Sequence, residues 1–386
     1  MARVFVSAID ASADQYAADW VTELRRLRPG LRAFGAGGGA MAKAGVEMVV
    51  SQRDLAVAGI IEALEIVPRV LRAWRQLERA VRREAPDLAV LVDAPDFHFP
   101  LARRLKRMGL PLLYYVGPNL RRWRRGRGRS LARRADRLAA IFPFEPALYE
   151  GTSLRVDYVG HPLVDPLREF SASWNPRLAR EALALDADAP LVVLAPGSRR
   201  NELRHMLDVF VDAAREVRAR NSRVRFALCV APTIHRAHIE SSLPDAASLG
   251  IDLVEGRTWE ALVAADAALV KPGTITMEAA LLGCPLVVAG RAHPITAALL
   301  RRLVHEPSFA MPNVIGAAPI VPEFLQEQAR PQALAEAVIT LLDGPARGRQ
   351  LAGLARVRER LGDGSAARRT AEIADQMLRE AGSEGR

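Results

Sequence analysis

Short runs of consecutive apolar residues alternate along this chain with longer stretches in which apolar positions recur every three or four residues. The short runs predict strands at Val4–Ile9, Leu88–Val92, Leu112–Val116, Leu138–Phe142 and Val156–Val159. A second set is predicted at Leu191–Leu194, Arg225–Val230, Ala267–Val270 and Leu286–Val288. These runs are continuous rather than alternating, so both faces of each sheet are expected to be covered. Strands separated by helical stretches imply parallel sheets with crossover helices, that is, a doubly wound α/β fold. The pattern divides near 160–190, where His161-Pro162, Asp165-Pro166 and Asn175-Pro176 read as linker and turns. With 386 residues, two such domains are expected, and the last dozen residues read as a frayed tail.

Half of the residues are hydrophobic and a quarter charged, as in a globular protein with a full core. The formal charge is +10, which favours anionic partners: nucleotide phosphate, acidic lipid or nucleic acid. Lysine occurs only at Lys43, Lys106 and Lys271; a bias toward arginine suits bidentate phosphate binding and also follows from base composition. Cys229 and Cys284 match no metal spacing and are expected to be buried reduced thiols. No signal peptide is visible. The longest uncharged apolar stretch, Ala279 to Gly290, is far short of the roughly 20 residues a bilayer span needs. Membrane contact is therefore expected to be peripheral.

Candidate chemistry gathers where predicted strands end. Asp10, Ser12 and Asp14 follow the first strand, and ligands of open α/β sheets bind beyond the carboxyl ends of strands. Ser12 and Asp14 are equally suited to cap a helix starting near Gln15. Asp93-Ala94-Pro95-Asp96-Phe97 follows Leu88–Val92. Asp93 is placed to take a proton from an attacking hydroxyl, and Asp96 to cap the next helix. Gly35-Ala36-Gly37-Gly38-Gly39-Ala40 fits G-x-G-x-x-G/A but does not follow the first strand, so it reads as a flexible loop rather than a dinucleotide site.

In the second half, Pro196-Gly197-Ser198-Arg199 leads from a strand into a helix beginning near Glu202. Glycine admits close backbone approach, the helix N-terminus presents free N–H groups, and Arg199 adds a charge-assisted fork. Pro272-Gly273-Thr274 repeats the arrangement, with Glu278 four residues on and on the same helix side, suited to ribose hydroxyls. Two phosphate-type turns point to a nucleoside diphosphate; plain strand-to-helix turns are the alternative. Arg69, Arg72, Arg75, Arg79, Arg82 and Arg83 share a segment with Ile60, Leu64, Val67, Leu71, Trp74 and Val81 at helical spacing. Arg121, Arg122, Arg124, Arg125, Arg127 and Arg129 surround Trp123. These are either solvated faces or a docking surface for anionic lipid. Nucleic acid is not expected, because aromatic residues make up only 5% of the chain and stacking platforms are scarce.

In order along the chain stand Asp10-Ala11-Ser12-Ala13-Asp14, Asp93-Ala94-Pro95-Asp96-Phe97, Tyr115-Val116 with Pro118, Phe142-Pro143-Phe144-Glu145 and Gly160-His161-Pro162. Pro196-Gly197-Ser198-Arg199, Gly273-Thr274 with Glu278, and Pro312-Asn313 follow. This ordered set resembles the lipid-A-disaccharide synthase family from about Val4 to Leu342. It departs in its first loop, where Ile9 and Ala13 replace glycines and Asp10 a glutamate. It departs also at Gly117–Arg124, and at Pro272, where the family has serine. The resemblance implies a metal-free, cofactor-free GT-B glycosyltransferase with two Rossmann-like domains facing a cleft. Residues 1–165 would form the acceptor-side domain and 166–386 the UDP-sugar domain, the final helices being candidates to pack back on the first. It implies inverting transfer of 2,3-diacylglucosamine from UDP to 2,3-diacylglucosamine 1-phosphate, giving a β-1,6 disaccharide. Asp93 would be the general base. Gly197, Ser198, Arg199, Gly273, Thr274, Glu278, Asn313 and Gln326 would surround UDP. Asp10, Ser12, Asp14, Asp96 and Arg124 would lie on the acceptor side. The implied setting is peripheral, on an anionic membrane surface at the cytoplasmic face of the inner membrane, with a homodimer as one candidate assembly. A related transferase with another lipid acceptor, and a UDP-sugar epimerase on the same fold, are the alternatives.

Overall fold

The computed structural model describes residues 1–54, 62–118, 126–231, 234–292 and 308–384. The chain divides into two compact units, Met1–Pro162 with Asp363–Arg386, and Leu163–Gly362.

The first unit is a seven-stranded sheet, every described pairing parallel, in the order β3-β2-β1-β4-β5-β6-β7. The strands are β1 Arg3–Ala8, β2 Arg32–Gly37, β3 Glu47–Ser51, β4 Leu88–Val92, β5 Leu112–Tyr115, β6 Arg137–Ala140 and β7 Arg155–Tyr158. The helices are α1 Ala11–Leu27, α2 Gly39–Lys43, α3 Glu62–Glu84, α4 Pro95–Arg107 and α5 Gly126–Ala132. The continuous apolar runs have the expected cause: Ala89 and Leu91 enter one core with Phe5, while Val90 and Val92 are buried on the opposite face. The C-terminal helix Ala366–Glu384 packs on α1, and Asp375 pairs with Arg28.

The second unit is a six-stranded parallel sheet in the order β10-β9-β8-β11-β12-β13. Its helices α6 Val164–Ser173 and α7 Pro176–Ala182 come first. Then come β8 Leu191–Ala195, α8 Arg200–Arg220, β9 Arg225–Val230, α9 Arg236–Ser242, β10 Ile251–Glu255, α10 Thr258–Ala264 and β11 Ala267–Val270. α11 Ile275–Leu282, β12 Leu286–Gly290, α12 Met311–Gly316, β13 Glu323–Leu325, α13 Pro331–Leu342 and α14 Pro345–Arg360 follow. Alternate residues of β8 feed two cores, Val192 and Leu194 one, Leu191, Val193 and Ala195 the other.

Five local expectations change. The last dozen residues are not a frayed tail: as far as Glu384 they continue the helix that starts at Ala366, and Met377 and Leu378 are buried. The segment around Asn175-Pro176 is helical rather than linker. Asn175 Oδ1 accepts the Leu178 N–H at 3.0 Å, and Pro176 occupies the first helical position, where its missing N–H costs nothing. Helix α1 begins at Ala11, not near Gln15, with Asp10 as its N-cap residue. Gly35–Gly37 belong to β2, with α2 starting at Gly39, so the glycine-rich segment is not a flexible loop. A Cβ at Gly35 would lie 1.8 Å from the Val6 carbonyl oxygen, so Gly35 serves the close approach of β2 to β1. Four strands were not revealed by the apolar runs: β3, β10 and β13 are sheet edges, where burial is less complete, and β2, though buried, is interrupted by Gly35 and Gly37.

Candidate active site

In both sheets the strand order reverses at one place, between β1 and β4 in the first unit and between β8 and β11 in the second. Crossovers leave in opposite directions there, which opens a crevice at the strands' carboxyl ends.

In the second unit a cavity of about 430 Å³ occupies this position. It is lined by Gly197, Ser198, Arg199, Glu202, Lys271, Gly273, Thr274 and Glu278, with Cys229 among its walls. The N-termini of α8 and α11 both open on it. At α8 the cradle is already engaged: Glu202 Oε2 accepts the backbone N–H groups of Ser198 at 2.9 Å and Arg199 at 3.3 Å. Its Oε1 accepts from Lys271 Nζ at 2.7 Å. Gly197, at φ +145, is the residue that lets this carboxylate in, since a Cβ would fall 2.6 Å from Glu202 Cβ. Burial alone would raise the Glu202 pKa; the Lys271 ammonium and the backbone donors outweigh it and hold the group below its usual range. At α11, Thr274 is the N-cap residue and makes no capping bond with its side chain. Glu278 accepts from Trp259 Nε1 at 3.2 Å, and burial pushes its pKa up.

Six expected donor-side residues, Gly197, Ser198, Arg199, Gly273, Thr274 and Glu278, are thus brought together. Asn313 and Gln326 are not part of this lining. Asn313 is buried, with Nδ2 donating to Val321 O at 2.9 Å and Glu323 Oε1 at 2.7 Å, and Oδ1 accepting from Val321 N at 2.8 Å. It fastens the segment entering β13. Gln326 sits at φ +54 and bonds the backbone of Ala292. Lys271 and Glu202 were missed, although Lys271 is one of three lysines and directly precedes Pro272-Gly273-Thr274. Cys229 and Cys284 are free and buried. Burial pushes both thiols up to about 12, which leaves them inert.

In the first unit Asp93 stands just beyond β4, at the switch point. Asp93 and Ala94 have φ of +53 and +46, two consecutive non-glycine residues in the left-handed region. Each such residue costs on the order of 1–3 kcal/mol and persists only where its surroundings hold it. Burial pushes the Asp93 carboxyl up to about 6, against a lowering by the Ala94 N–H and with a further push from the nearby Asp10 charge. A carboxylate poised near neutrality is suited to general-base work. A second carboxyl, Glu145, accepts from Ile141 N at 2.8 Å and Phe142 N at 2.9 Å beyond β6. Burial pushes it up to about 7, opposed by those two backbone bonds and reinforced by the Asp93 charge. Asp10 is exposed and Ser12 half-buried at the start of α1. Asp96 is exposed in the first turn of α4, whose N-cap position is taken by Ala94.

Asp14 has a structural task. Its carboxylate accepts the N–H groups of Gly38 at 2.7 Å, Ala40 at 2.9 Å and Met41 at 3.2 Å. It therefore caps α2 from a distance rather than α1. Arg124 and the cluster 121–125 lie outside the described residues, as do Ile60 and the side chain of Leu64. On α3, the six arginines from Arg69 to Arg83 are all exposed, while Ala73, Leu77, Ala80 and Val81 are buried. A larger cavity of about 760 Å³, lined by Arg82, Arg104, Arg107 and Glu78, also touches Pro86 and Leu110. It lies at the amino ends of β4 and β5, the wrong end of the sheet for a switch-point site. Among the described residues no helix is long and apolar enough to cross a membrane.

Two doubly wound parallel sheets in one chain are the architecture of GT-B glycosyltransferases and of the sugar-nucleotide epimerases that share it. Solved structures agree in fold. The calicheamicin glycosyltransferase CalG4 superposes with a TM-score of 0.62 at 18% identity, covering 98% of both chains. The UDP co-structure of MnaA from S. aureus gives 0.67 at 13% identity, over 98% of this chain and 97% of that one. The sequence is more specific. A model of the lipid-A-disaccharide synthetase family matches residues 4–376. Lipid-A-disaccharide synthase of Anaeromyxobacter dehalogenans (strain 2CP-C) is 42% identical over 371 residues, 96% of each chain. That of Myxococcus xanthus (strain DK1622) is 39% identical over 379 residues, 97% of each. The chain belongs to the lipid-A-disaccharide synthetase family, and is a glycosyltransferase that forms a lipid A disaccharide.

Proposed function

We propose that the enzyme joins UDP-2,3-diacylglucosamine to 2,3-diacylglucosamine 1-phosphate, with inversion, to give the β-1,6 disaccharide 1-phosphate and UDP. The observation that carries the donor assignment is the second unit's switch-point cavity, where two helix N-termini, Arg199 and Lys271 converge. The diphosphate is held there by Gly197, Ser198, Arg199, Gly273 and Thr274, and the ribose by Glu278. Preorganised N–H dipoles and an arginine stabilise the charge that grows on departing UDP. Two solved relatives in fold are described as UDP complexes or UDP-sugar complexes, MnaA from S. aureus with UDP and an epimerase from Neisseria meningitidis with UDP-GlcNAc. Both support a UDP-sugar donor on this fold.

Asp93 takes the proton of the attacking 6-hydroxyl of the acceptor. Its raised pKa, near 6, leaves it ionised at neutral pH and basic enough to accept that proton. Asp10, Ser12 and Asp96 flank it on the acceptor side. The exposed arginines of α3 meet an anionic membrane surface from which the acylated substrates are drawn, at the cytoplasmic face of the inner membrane. The test is mass spectrometry of the products formed from UDP-2,3-diacylglucosamine and the monosaccharide 1-phosphate. A tetraacyl disaccharide monophosphate with a β-1,6 linkage is expected. UDP release without disaccharide, or an epimerised donor, would remove this reading.

A further inference from the structure

Asp93 is held by its backbone on both sides. Its N–H donates to Tyr115 O at 2.9 Å, continuing the β4–β5 ladder. Its carbonyl oxygen accepts from Tyr114 Oη at 2.6 Å and faces His98 Nδ1 at 2.7 Å. A carbonyl carries no proton, so the Nδ1 of His98 must be the protonated one. His98 is fully buried, and burial lowers its pKa to about 4, so the ring is neutral. Its Nε2 is then an acceptor, and Ser7 Oγ, 2.8 Å away and also fully buried, must be the donor. The direction of every bond is fixed: Ser7 O–H to His98, His98 N–H to Asp93 O, Tyr114 O–H to the same oxygen. The ring is further wedged edge-on between Phe97 and Tyr114.

The two peptide planes that flank the Asp93 Cα are thereby both anchored, which sets the direction of the Cα–Cβ bond. Without such anchoring only the local bond from the Ala94 N–H to its own carboxylate holds Asp93 at φ +53, and relaxation to an extended backbone would swing the carboxylate away from the crevice. Ser7 reaches the site from the neighbouring strand, β1, so the network also ties β1 to β4 across the switch point.

We propose that Ser7, His98 and Tyr114 form a hydrogen-bond relay that positions the Asp93 carboxylate, making His98 a positioning residue for glycosyl transfer. This rests on Asp93 being the base. His98 is separated from the substrates by the Asp93 main chain and does not itself exchange protons in the reaction.

Two substitutions at His98 separate positioning from packing. In His98→Asn the amide nitrogen falls near the place of Nδ1, so the bond to Asp93 O is retained and that to Ser7 is lost. In His98→Gln the amide reaches toward the place of Nε2, so the Ser7 bond is retained and that to Asp93 O is lost. At saturating donor and acceptor, His98→Gln should lower kcat on the order of 10–100-fold, the effect of misplacing a reacting group by about 1 Å. His98→Asn should stay within about threefold of wild type, since the contact that sets the geometry survives. UDP affinity should be unchanged in both. Tyr114→Phe, which deletes one hydroxyl from a buried ring, gives a second readout free of imidazole loss. It should lower kcat several-fold with no change in UDP affinity.

Asp93→Asn is measured alongside. If it loses rate while His98→Gln and Tyr114→Phe keep kcat within about threefold of wild type, the positioning relay is wrong and the base assignment stands. Equal losses in His98→Asn and His98→Gln that track their loss of thermal stability would mean the imidazole is only core, and would also overturn it. If Asp93→Asn keeps its rate, both the base and the relay fall together.

Discussion

Replacing Asp93 by asparagine should make the protein more stable while removing its activity. The carboxyl rises from an ordinary 3.8 to about 6 on folding, mainly through burial. A raised carboxyl pKa means the folded state disfavours the charged form. Stability is therefore full below the unfolded value and is lost as pH rises through the folded one. At about 1.36 kcal/mol per pKa unit, the 2.2-unit difference corresponds to about 3 kcal/mol at pH 8. By the same relation the difference shrinks to about 0.5 kcal/mol at pH 4. Asparagine has the same shape, accepts the left-handed backbone readily, and carries no charge, so it escapes this penalty. For a unit of this size the gain at pH 8 should raise the melting midpoint by about 6–12 °C. The assay is thermal unfolding of wild type and Asp93→Asn at pH 8 and pH 4, with turnover and UDP affinity measured on the same samples. Turnover should fall about 10²–10⁴-fold, with UDP affinity unchanged. The pH dependence isolates the charge, because any relief of backbone strain is the same at both pH values. No gain at pH 8, or the same gain at both, would refute the burial argument. A folded Asn variant keeping more than about a tenth of wild-type rate would refute general-base catalysis on this scale.

Arg199→Ala should weaken UDP binding by about 1.5–3 kcal/mol, the range for hydrogen bonds to charged groups; unchanged affinity by calorimetry would take Arg199 out of the site. Glu202→Gln should tighten UDP binding several-fold, because it removes the carboxylate charge that occupies the α8 N-terminus and frees Lys271. Weaker binding in a folded variant would show instead that Glu202 is needed only as a cap. Binding to vesicles containing anionic lipid should exceed binding to neutral ones and fall as salt rises, since screening shortens the reach of charge. Equal co-sedimentation with both would leave the α3 arginines as a solvated face.

Much of the framework was legible along the chain. Nine strands were placed from apolar runs alone, because a parallel strand covered on both faces has no room for a polar position. Asp93, Arg199 and Glu278 were visible because ligand crevices lie where strands end, and those ends can be read from local pattern. The two turns at Gly197 and Gly273 were legible for the same reason.

The partners of polar side chains were not. Asp14 looked like a cap for the helix it begins, and instead accepts N–H groups some 24 to 27 residues away. Asn313 fitted a nucleotide contact, and is spent on Val321 and Glu323. The glycine-rich segment looked like a loop until the Val6 carbonyl was found against Gly35. Ser7 and His98 carry no local mark at all; they meet only because β1 and β4 are neighbours. Lys271 and Glu202 are 69 residues apart and meet because β8 adjoins β11. Apolar periodicity reports how deeply each position is buried, which is a property of the local chain. Which donor meets which acceptor depends on the order of strands in the sheet, and that order exists only once the chain has crossed over itself.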